Sequence, residues 1–181
     1  MGKILITGVG GLLGSRLADW VIENTEYEVV GIDDLSGGFS ENINRKVKFY
    51  KFNLTDLQAI QGVFERENIN IVYHFAAYAA EGLSPFIRKY NYENNLIAST
   101  NLITCSIQHE ISRFVFASSM SVYGDQSGKE TYSEEDNLKP KSFYAVGKVA
   151  SENYLKIYKE QYNIEFTVFR FTRVQKSFIS K

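Results

Sequence analysis

Cysteine and histidine are almost absent from this 181-residue chain, and their scarcity excludes several kinds of chemistry. With Cys105 as the one cysteine, there can be no intrachain disulfide, no thiol redox pair and no cysteine zinc cluster. The two histidines, His74 and His109, lie far apart, and neither belongs to a Glu-x-x-His pattern. The sequence therefore offers no support for a metal site. We expect Cys105 to be a core residue and His74 a satisfied structural one.

The chain also lacks long apolar runs and an excess of charge of either sign. No apolar stretch approaches the roughly 18 residues that span a membrane, and the early stretch 4–13 is interrupted by glycine and lacks a small-residue cleavage site. The 20 basic and 21 acidic residues are interspersed, so no basic surface for nucleic acid or anionic lipid is indicated. We expect a cytoplasmic protein that binds a small molecule and has neither a nucleic-acid nor a membrane partner.

What the sequence does contain is a regular alternation of short β-branched runs and longer amphipathic segments. This pattern predicts strands at 3–7, 28–33, 47–52, 71–75, 113–118 and 165–170, and helices at 12–23, 56–67, 90–109 and 143–162. Such a βα order predicts an α/β fold with a doubly wound parallel sheet, the Rossmann fold, in the strand order 3-2-1-4-5-6. Ligands on these sheets bind at the carboxyl ends of the strands.

A glycine-rich turn joins the first predicted strand to the first helix. Gly8, Gly11 and Gly14 are spaced so that N–H groups at the helix N-terminus can face a pyrophosphate, although an ordinary tight turn is the alternative interpretation. The second strand ends at Asp33, about 20 residues further on, where a carboxylate can accept from a ribose 2′-hydroxyl and repel a 2′-phosphate. NAD is therefore predicted over NADP. Asp34 is the second candidate for this role, and Asp33 could instead cap a turn.

A second group of residues has the side chains needed for proton transfer. Tyr144 and Lys148 lie four residues apart on the helix predicted at 143–162, so both side chains emerge on one face. An ammonium beside the phenol would lower the pKa of Tyr144 from about 10, which makes this residue a candidate general base and acid. Such a pair alone is equally well explained as a surface pair. Ser119, at the end of the fifth strand, adds the hydroxyl that could hold a reacting oxygen, with Ser121 as an auxiliary.

Together these motifs resemble the extended short-chain dehydrogenase/reductases, in particular the NAD-dependent nucleotide-sugar epimerase/dehydratase family typified by UDP-glucose 4-epimerase. The resemblance covers residues 3–170 and rests on ordered motifs at 7–14, 33–36, 74–77, 118–124 and 144–148, with Asn95 and Asn101 between them. It implies a catalytic trio of Ser119, Tyr144 and Lys148. It also implies cofactor-binding residues beyond the glycines and Asp33, namely Leu12, Leu13, Asn53, Leu54, Phe75, Ala76, Ala77, Asn95, Tyr144 and Lys148.

The chain departs from the family pattern at several places. Asn53 stands where a carboxylate beside adenine is usual, and Met120 stands where Ser or Ala is usual. After Arg170 the family continues with an R-x-x-N-x-Y-G-P-like segment that this sequence does not contain. We therefore expect an NAD-binding domain at 1–170, a divergent tail at 171–181 and a missing C-terminal substrate-binding region.

The resemblance implies an NAD-dependent enzyme, a UDP-glucose 4-epimerase-like protein that acts by hydride transfer at a carbon of a UDP-sugar. Because Met120 and Ser121 are not acidic, an epimerase or a dehydrogenase/reductase is favoured over a dehydratase. With the substrate-binding region missing, we expect very weak or no epimerase activity, and an NAD-binding remnant without turnover is the alternative. The family also implies a homodimer formed through helices at 91–107 and 149–162.

Overall fold

Six parallel strands form the sheet of this protein, for which the computed structural model describes residues 2–126, 128, 131–172 and 174. The strand order is β3-β2-β1-β4-β5-β6, and every neighbouring pair is parallel, which confirms the predicted fold class and topology. In chain order the strands are β1 (Lys3–Thr7), β2 (Glu28–Asp33), β3 (Lys48–Lys51), β4 (Ile69–His74), β5 (Arg113–Ser119) and β6 (Phe166–Phe171).

Helices connect these strands, and one of them departs from the prediction. They are α1 (Leu12–Asn24), α2 (Leu57–Glu67), α3 (Arg88–Asn91), a π-helical segment (Tyr92–Ile97), α4 (Ala98–Gln108) and α5 (Phe143–Tyr162). The single helix predicted at 90–109 is therefore three consecutive segments with a π-helical middle. Short 3₁₀ turns follow β2, β4 and β5, at Ser40–Asn42, Glu81–Leu83 and Met120–Tyr123.

Four strands, β3 to β6, also differ from the prediction by one or two residues at their ends. Asn68 ends α2 in the left-handed conformation, and the chain enters β4 directly at Ile69, which pairs with Lys3 before an irregularity in the register. Phe171 belongs to β6, because it continues the ladder opposite Ser119. The predicted tail at 171–181 otherwise lies outside the described residues, apart from Thr172 and Val174.

The core lies on both faces of the sheet. Along β1, Leu5 points to the face covered by α2, α4 and α5, whereas Ile4 and Ile6 point to the face covered by α1 and pack with Ala18. Cys105 is fully buried in the first of these clusters, and burial raises the pKa of its thiol to about 11. Cys105 is thus the core residue expected. With both faces covered by helices, the carboxyl edge of the sheet is where a ligand can reach the strands.

Gly14 allows α1 to begin against the end of β1. A Cβ atom at Gly14 would lie 2.2 Å from the carbonyl oxygen of Gly8, and this neighbour is backbone that cannot rotate away. Gly147 on α5 is the opposite case, since a Cβ there would meet no atom within 4 Å. Glycine is therefore required by close packing at position 14, whereas at position 147 only the helix propensity of the residue should matter.

We predict opposite effects of alanine at these two positions. Gly14→Ala should lower the free energy of unfolding by more than about 2 kcal/mol, because the overlap forces the backbone to move. Gly147→Ala should raise it by up to about 1 kcal/mol, because alanine favours helix more than glycine does. Urea unfolding followed by circular dichroism measures both. A Gly14→Ala protein as stable as the wild type would show that the close approach is not required.

Candidate active site

The glycine-rich turn forms one side of a cleft at the carboxyl edge of the sheet. Gly8 has a φ angle of 71°, and a Cβ there would lie 2.8 Å from the backbone nitrogen of Ala76. Gly11 is the N-cap of α1, which begins with the exposed Leu12 and the half-buried Leu13. The first turn of α1 carries no acidic residue, so its N–H groups present an uncompensated positive partial charge. This backbone cradle suits a pyrophosphate.

Asp33 is fixed beside the cradle at the end of β2. Its Oδ2 accepts from the Gly10 N–H at 2.9 Å, and its Oδ1 accepts from the Leu35 N–H at 2.8 Å. Asp33 nevertheless lines the cleft, and each carboxylate oxygen can accept a further hydrogen bond. Asp33 therefore caps the turn and also lines the cleft as an acceptor, so both interpretations from the sequence apply to it.

Asp34 and Asn53 form a hydrogen-bonded pair farther along the cleft. The Asn53 Nδ2 donates to Oδ2 of Asp34 at 2.6 Å and to Oδ1 of Asn94 at 2.8 Å, while the Asn53 Oδ1 accepts from the Thr55 N–H at 2.9 Å. Partial burial acts to raise the pKa of Asp34, but hydrogen bonds from Ser36 and Asn53 outweigh it and hold that pKa below its ordinary value. The negative charge at this end of the cleft thus sits on Asp34.

The opposite wall follows β4 and includes Phe75, Ala76 and Ala77, with Leu54 across from them. Asn95 is not part of this wall. Its amide accepts from the Tyr78 N–H at 2.7 Å and donates to the Tyr78 carbonyl at 3.1 Å, so it braces the loop after β4 from inside the π-helical segment. Asn94, its neighbour, lines the cleft instead. Contact between Asn95 and the cofactor stays a prediction, and in the structure the amide of Asn95 is bonded to the loop after β4.

His74 is held in a directional chain of buried hydrogen bonds. The Ser99 Oγ donates to the Asn95 carbonyl at 2.5 Å, so it accepts from the His74 Nε2–H at 2.8 Å. The His74 Nδ1 then accepts from the Thr7 hydroxyl at 2.7 Å. Burial lowers the pKa of His74 to about 3, which keeps the ring neutral. His74 is the structural histidine expected from the sequence.

Ser119, Tyr144 and Lys148 are brought together by β5 and α5. Ser119 ends β5, and its hydroxyl lies near the phenol of Tyr144 in the first turn of α5, where it acts to lower the pKa of that phenol. The Lys148 Nζ lies 5.7 Å from the centre of the Tyr144 ring and donates to the carbonyl oxygen of Ala117 at 2.8 Å. Burial lowers the pKa of Lys148 to about 8, although the charge of Glu152 acts in the opposite direction. The predicted proximity of the trio is confirmed.

The pKa of Tyr144 is raised, not lowered as the spacing to Lys148 predicts. Burial of the phenol is the main cause, and the negative charge of Glu81 adds to it, while the hydroxyl of Ser119 acts in the opposite direction. The ammonium of Lys148 is directed to Ala117 instead of to the phenol oxygen. The expectation that Lys148 lowers the pKa of Tyr144 is therefore wrong for this structure.

Comparison with known proteins assigns the chain to a family. A family model described as the NAD dependent epimerase/dehydratase family matches residues 4–175. The chain belongs to this family. Its membership confirms the resemblance drawn from the motifs.

Several members of the NAD dependent epimerase/dehydratase family match over nearly the whole chain. An uncharacterised UDP-glucose epimerase of Bacillus subtilis is 32% identical over 185 residues, covering 95% of this chain and 56% of the relative. The UDP-glucose 4-epimerase of Thermotoga maritima, crystallised with UDP-glucose, matches with a TM-score of 0.90 and 32% identity over 93% of this chain and 54% of that one. The Thermus thermophilus enzyme in complex with NAD matches with a TM-score of 0.87 and 30% identity. The chain spans about half the length of these relatives.

Glu81 lies next to the helix that carries Tyr144 and is not among the residues that the sequence motifs indicate. It lies in the 3₁₀ turn after β4, and its Oε1 accepts from the Ser142 hydroxyl at 2.7 Å. Ser142 is the N-cap of α5 and accepts in turn from the Ala145 N–H at 3.1 Å. No local pattern marks Glu81, because its importance comes from a long-range contact with the helix that carries Tyr144.

A buried ion pair between Glu152 and Arg170 holds α5 against the sheet next to the trio. The Oε2 of Glu152 accepts from the Arg170 Nη2 at 2.8 Å, and its Oε1 accepts from the Ser118 hydroxyl at 2.5 Å. Arg170 Nη1 also donates to the Tyr123 hydroxyl at 2.8 Å. The pair joins α5 to β5, β6 and the turn after β5, so it fixes Lys148, one helical turn before Glu152, relative to Ser119.

The part of the chain that the structure describes contains neither a candidate metal centre nor a helix that could span a membrane. Within it, no group of three or more His, Cys, Asp and Glu residues is arranged to hold a metal ion. None of its helices combines the length and apolar character that crossing a bilayer demands.

The contact between Glu81 and α5 yields a titration experiment. Glu81→Gln should lower the pKa of Tyr144, because it removes a negative charge that disfavours the phenolate. The phenolate absorbance of each protein is measured against pH, and subtraction of the matching Tyr144→Phe protein isolates this tyrosine. Glu23→Gln, at an exposed position of α1, is the control and should leave the titration unchanged. An identical midpoint in Glu81→Gln would contradict the assigned electrostatic contact.

Proposed function

We propose that this chain binds NAD and carries the hydride-transfer residues of a nucleotide-sugar epimerase, with UDP-sugars as the substrate class. The observation that carries the proposal is the arrangement along one sheet edge. The glycine cradle and Asp33 lie at the ends of β1 and β2, and the hydroxyls of Ser119 and Tyr144 lie at the end of β5 and in the first turn of α5. The UDP-glucose 4-epimerases among the relatives, solved with UDP-glucose or with NAD, support both parts.

The cleft residues fit a dinucleotide whose adenine end lies near Asp34 and whose nicotinamide end lies toward Tyr144. The turn of Gly8, Gly11 and Gly14, continued by Leu12 and Leu13, leaves room and N–H donors for a pyrophosphate, and Asp33 accepts from an adenosine ribose hydroxyl. Asp34, Asn53 and Leu54 would then bound the adenine end, and Phe75, Ala76 and Ala77 the wall leading toward Tyr144 and Lys148. Bound NAD supplies the hydride acceptor and a cationic ring, which favours the phenolate of Tyr144.

Ser119, Tyr144 and Lys148 then have separate roles in the reaction. The Ser119 hydroxyl donates to the reacting sugar oxygen, and the Tyr144 phenolate takes the hydroxyl proton as hydride leaves the carbon. The C–H and O–H bonds break, and a C=O bond forms. Lys148 has three N–H donors, of which one is given to Ala117, so two are available for a ribose hydroxyl and the phenol. The epimer would form when Tyr144 gives the proton back to the oxygen and hydride is added to the opposite face of the carbon, with no net oxidation.

An epimerase is favoured over a dehydratase at this site. Met120 and Ser121, the residues after Ser119, offer no carboxylate for the elimination of water. The relatives named UDP-glucose 4-epimerase point in the same direction. Very weak or no epimerase turnover by the 181-residue chain itself stays a prediction, and the experiments below separate weak turnover from the alternative of NAD binding without turnover.

We predict that NAD binds at least about tenfold more tightly than NADP, because the Asp33 carboxylate accepts from a 2′-hydroxyl and repels a 2′-phosphate. Calorimetric titration with each nucleotide measures the ratio. Asp33→Asn should reduce it, and Glu23→Gln should not. Tighter binding of NADP by the wild type would remove Asp33 from this role.

Tyr144→Phe should abolish hydride transfer and leave NAD binding unchanged, since the ring remains and only the ionisable hydroxyl is lost. The loss expected for an acid-base group is about 10²–10⁴-fold. Formation of NADH absorbance after mixing with NAD and UDP-glucose is the measurement, with calorimetry as the binding control. Activity within about tenfold of the wild type would show that another group moves the proton.

We also propose a homodimer formed through α4 and α5. Large apolar side chains are exposed on the outer face of α5, where Tyr154, Ile157 and Tyr162 are 40%, 46% and 56% exposed. Paired helices would remove this surface from water. Light scattering should give twice the 20.7 kDa mass of one chain, and Ile157→Asp should give the single mass. A wild-type monomer at all concentrations would refute the pairing.

A further inference from the structure

We propose that Glu81 is a specificity-determining residue that selects neutral sugars and rejects sugars carrying a carboxylate. The proposal rests on the nucleotide-sugar function proposed above and assigns a role to a side chain outside the Ser119, Tyr144 and Lys148 trio. It begins from the position of Glu81, which follows β4 and packs its 3₁₀ turn against α5 at the reacting hydroxyls.

The carboxylate of Glu81 is held in a defined place. Ser142 donates its hydroxyl to Oε1 of Glu81 at 2.7 Å, and its own orientation is fixed by the Ala145 N–H of α5. The positive end of the α5 dipole lies at the same point, which stabilises a negative charge there. Glu81 is therefore anchored through one oxygen to the first turn of the helix that carries Tyr144.

Glu81 is exposed, and no cation among the described residues is paired with it. Two cations lie near the start of α5: Arg88, with its guanidinium 5.9 Å from the centre of the Phe143 ring, and Lys141, which pairs with Asp125 at 3.6 Å. The buried Lys148 directs its ammonium to a backbone carbonyl. Within the described part of the chain, Glu81 forms no ion pair, and its Oε2 makes no hydrogen bond, so this oxygen can accept from a sugar hydroxyl.

A reacting sugar must come close to this charge. The oxygen that binds Ser119 and Tyr144 would lie close to Glu81, because Glu81 is hydrogen-bonded to Ser142, the N-cap of α5 and two residues before Tyr144. A pyranose ring is small, so its other substituents lie within a few ångströms of the reacting one. A hydroxymethyl group there can donate to Glu81, whereas a carboxylate there is repelled.

UDP-glucose and UDP-glucuronate form a matched pair of probes, because they share the nucleotide and differ at one sugar carbon. The NAD-loaded chain should bind UDP-glucose about three- to tenfold more tightly than UDP-glucuronate. Glu81→Gln should bring this ratio close to one, and Glu81→Lys should invert it. Glu23→Gln removes the same charge far from the site and should keep the wild-type ratio. Ligand-observed NMR titration detects both nucleotides even when binding is weak.

The outcomes separate this proposal from the proposed function. Equal affinities in the wild type, or an unchanged ratio in both Glu81 variants that still bind NAD, would overturn the role of Glu81 and leave the sugar site standing. Binding of neither UDP-sugar by the NAD-loaded wild type would overturn the UDP-sugar part of the proposed function together with the role of Glu81, and would leave NAD binding standing. A ratio that falls in Glu81→Gln and inverts in Glu81→Lys supports both.

Discussion

The close backbone approach between Gly8 and Gly14 is the constraint on which the rest of the site depends. It lets α1 begin directly against the end of β1, where a Cβ would overlap a carbonyl oxygen at 2.2 Å. The N–H groups of the helix then point to the carboxyl edge of the sheet, and Gly10 is placed to donate to Asp33. The cradle forms at this contact, between the acidic end of β2 and the wall along β4.

The pair of Asp34 and Asn53 shows how a departure from a family pattern can be balanced. By the resemblance, position 53 usually carries a carboxylate, and its replacement by Asn suggested a lost charge. In the structure Asn53 donates to Asp34 at 2.6 Å. Two ionised carboxylates at that separation would repel each other strongly, so an amide opposite Asp34 keeps one negative charge at this end of the cleft. The negative charge that Asn53 lacks is therefore carried by Asp34, at the end of β2.

Features that depend on local pattern could be predicted from the sequence. The strand order, the glycine turn, the proximity of Tyr144 to Lys148 and the buried Cys105 follow from periodicity and spacing. Features that depend on contacts between distant segments could not. The hydrogen bond between Glu81 and Ser142, the π-helical segment that turns Asn95 into a brace, and the raised pKa of Tyr144 all arise only when β4, α5 and their loops meet.

The central claim is that the glycine cradle and the Ser119–Tyr144 hydroxyls serve one dinucleotide bound in one direction. A crystal structure of the chain with NAD tests it most directly. The predicted result places an adenosine ribose hydroxyl within hydrogen-bond distance of the Asp33 carboxylate and the nicotinamide ribose within reach of Lys148. A dinucleotide bound in the reverse direction, or one whose nicotinamide lies away from Tyr144, would contradict the claim.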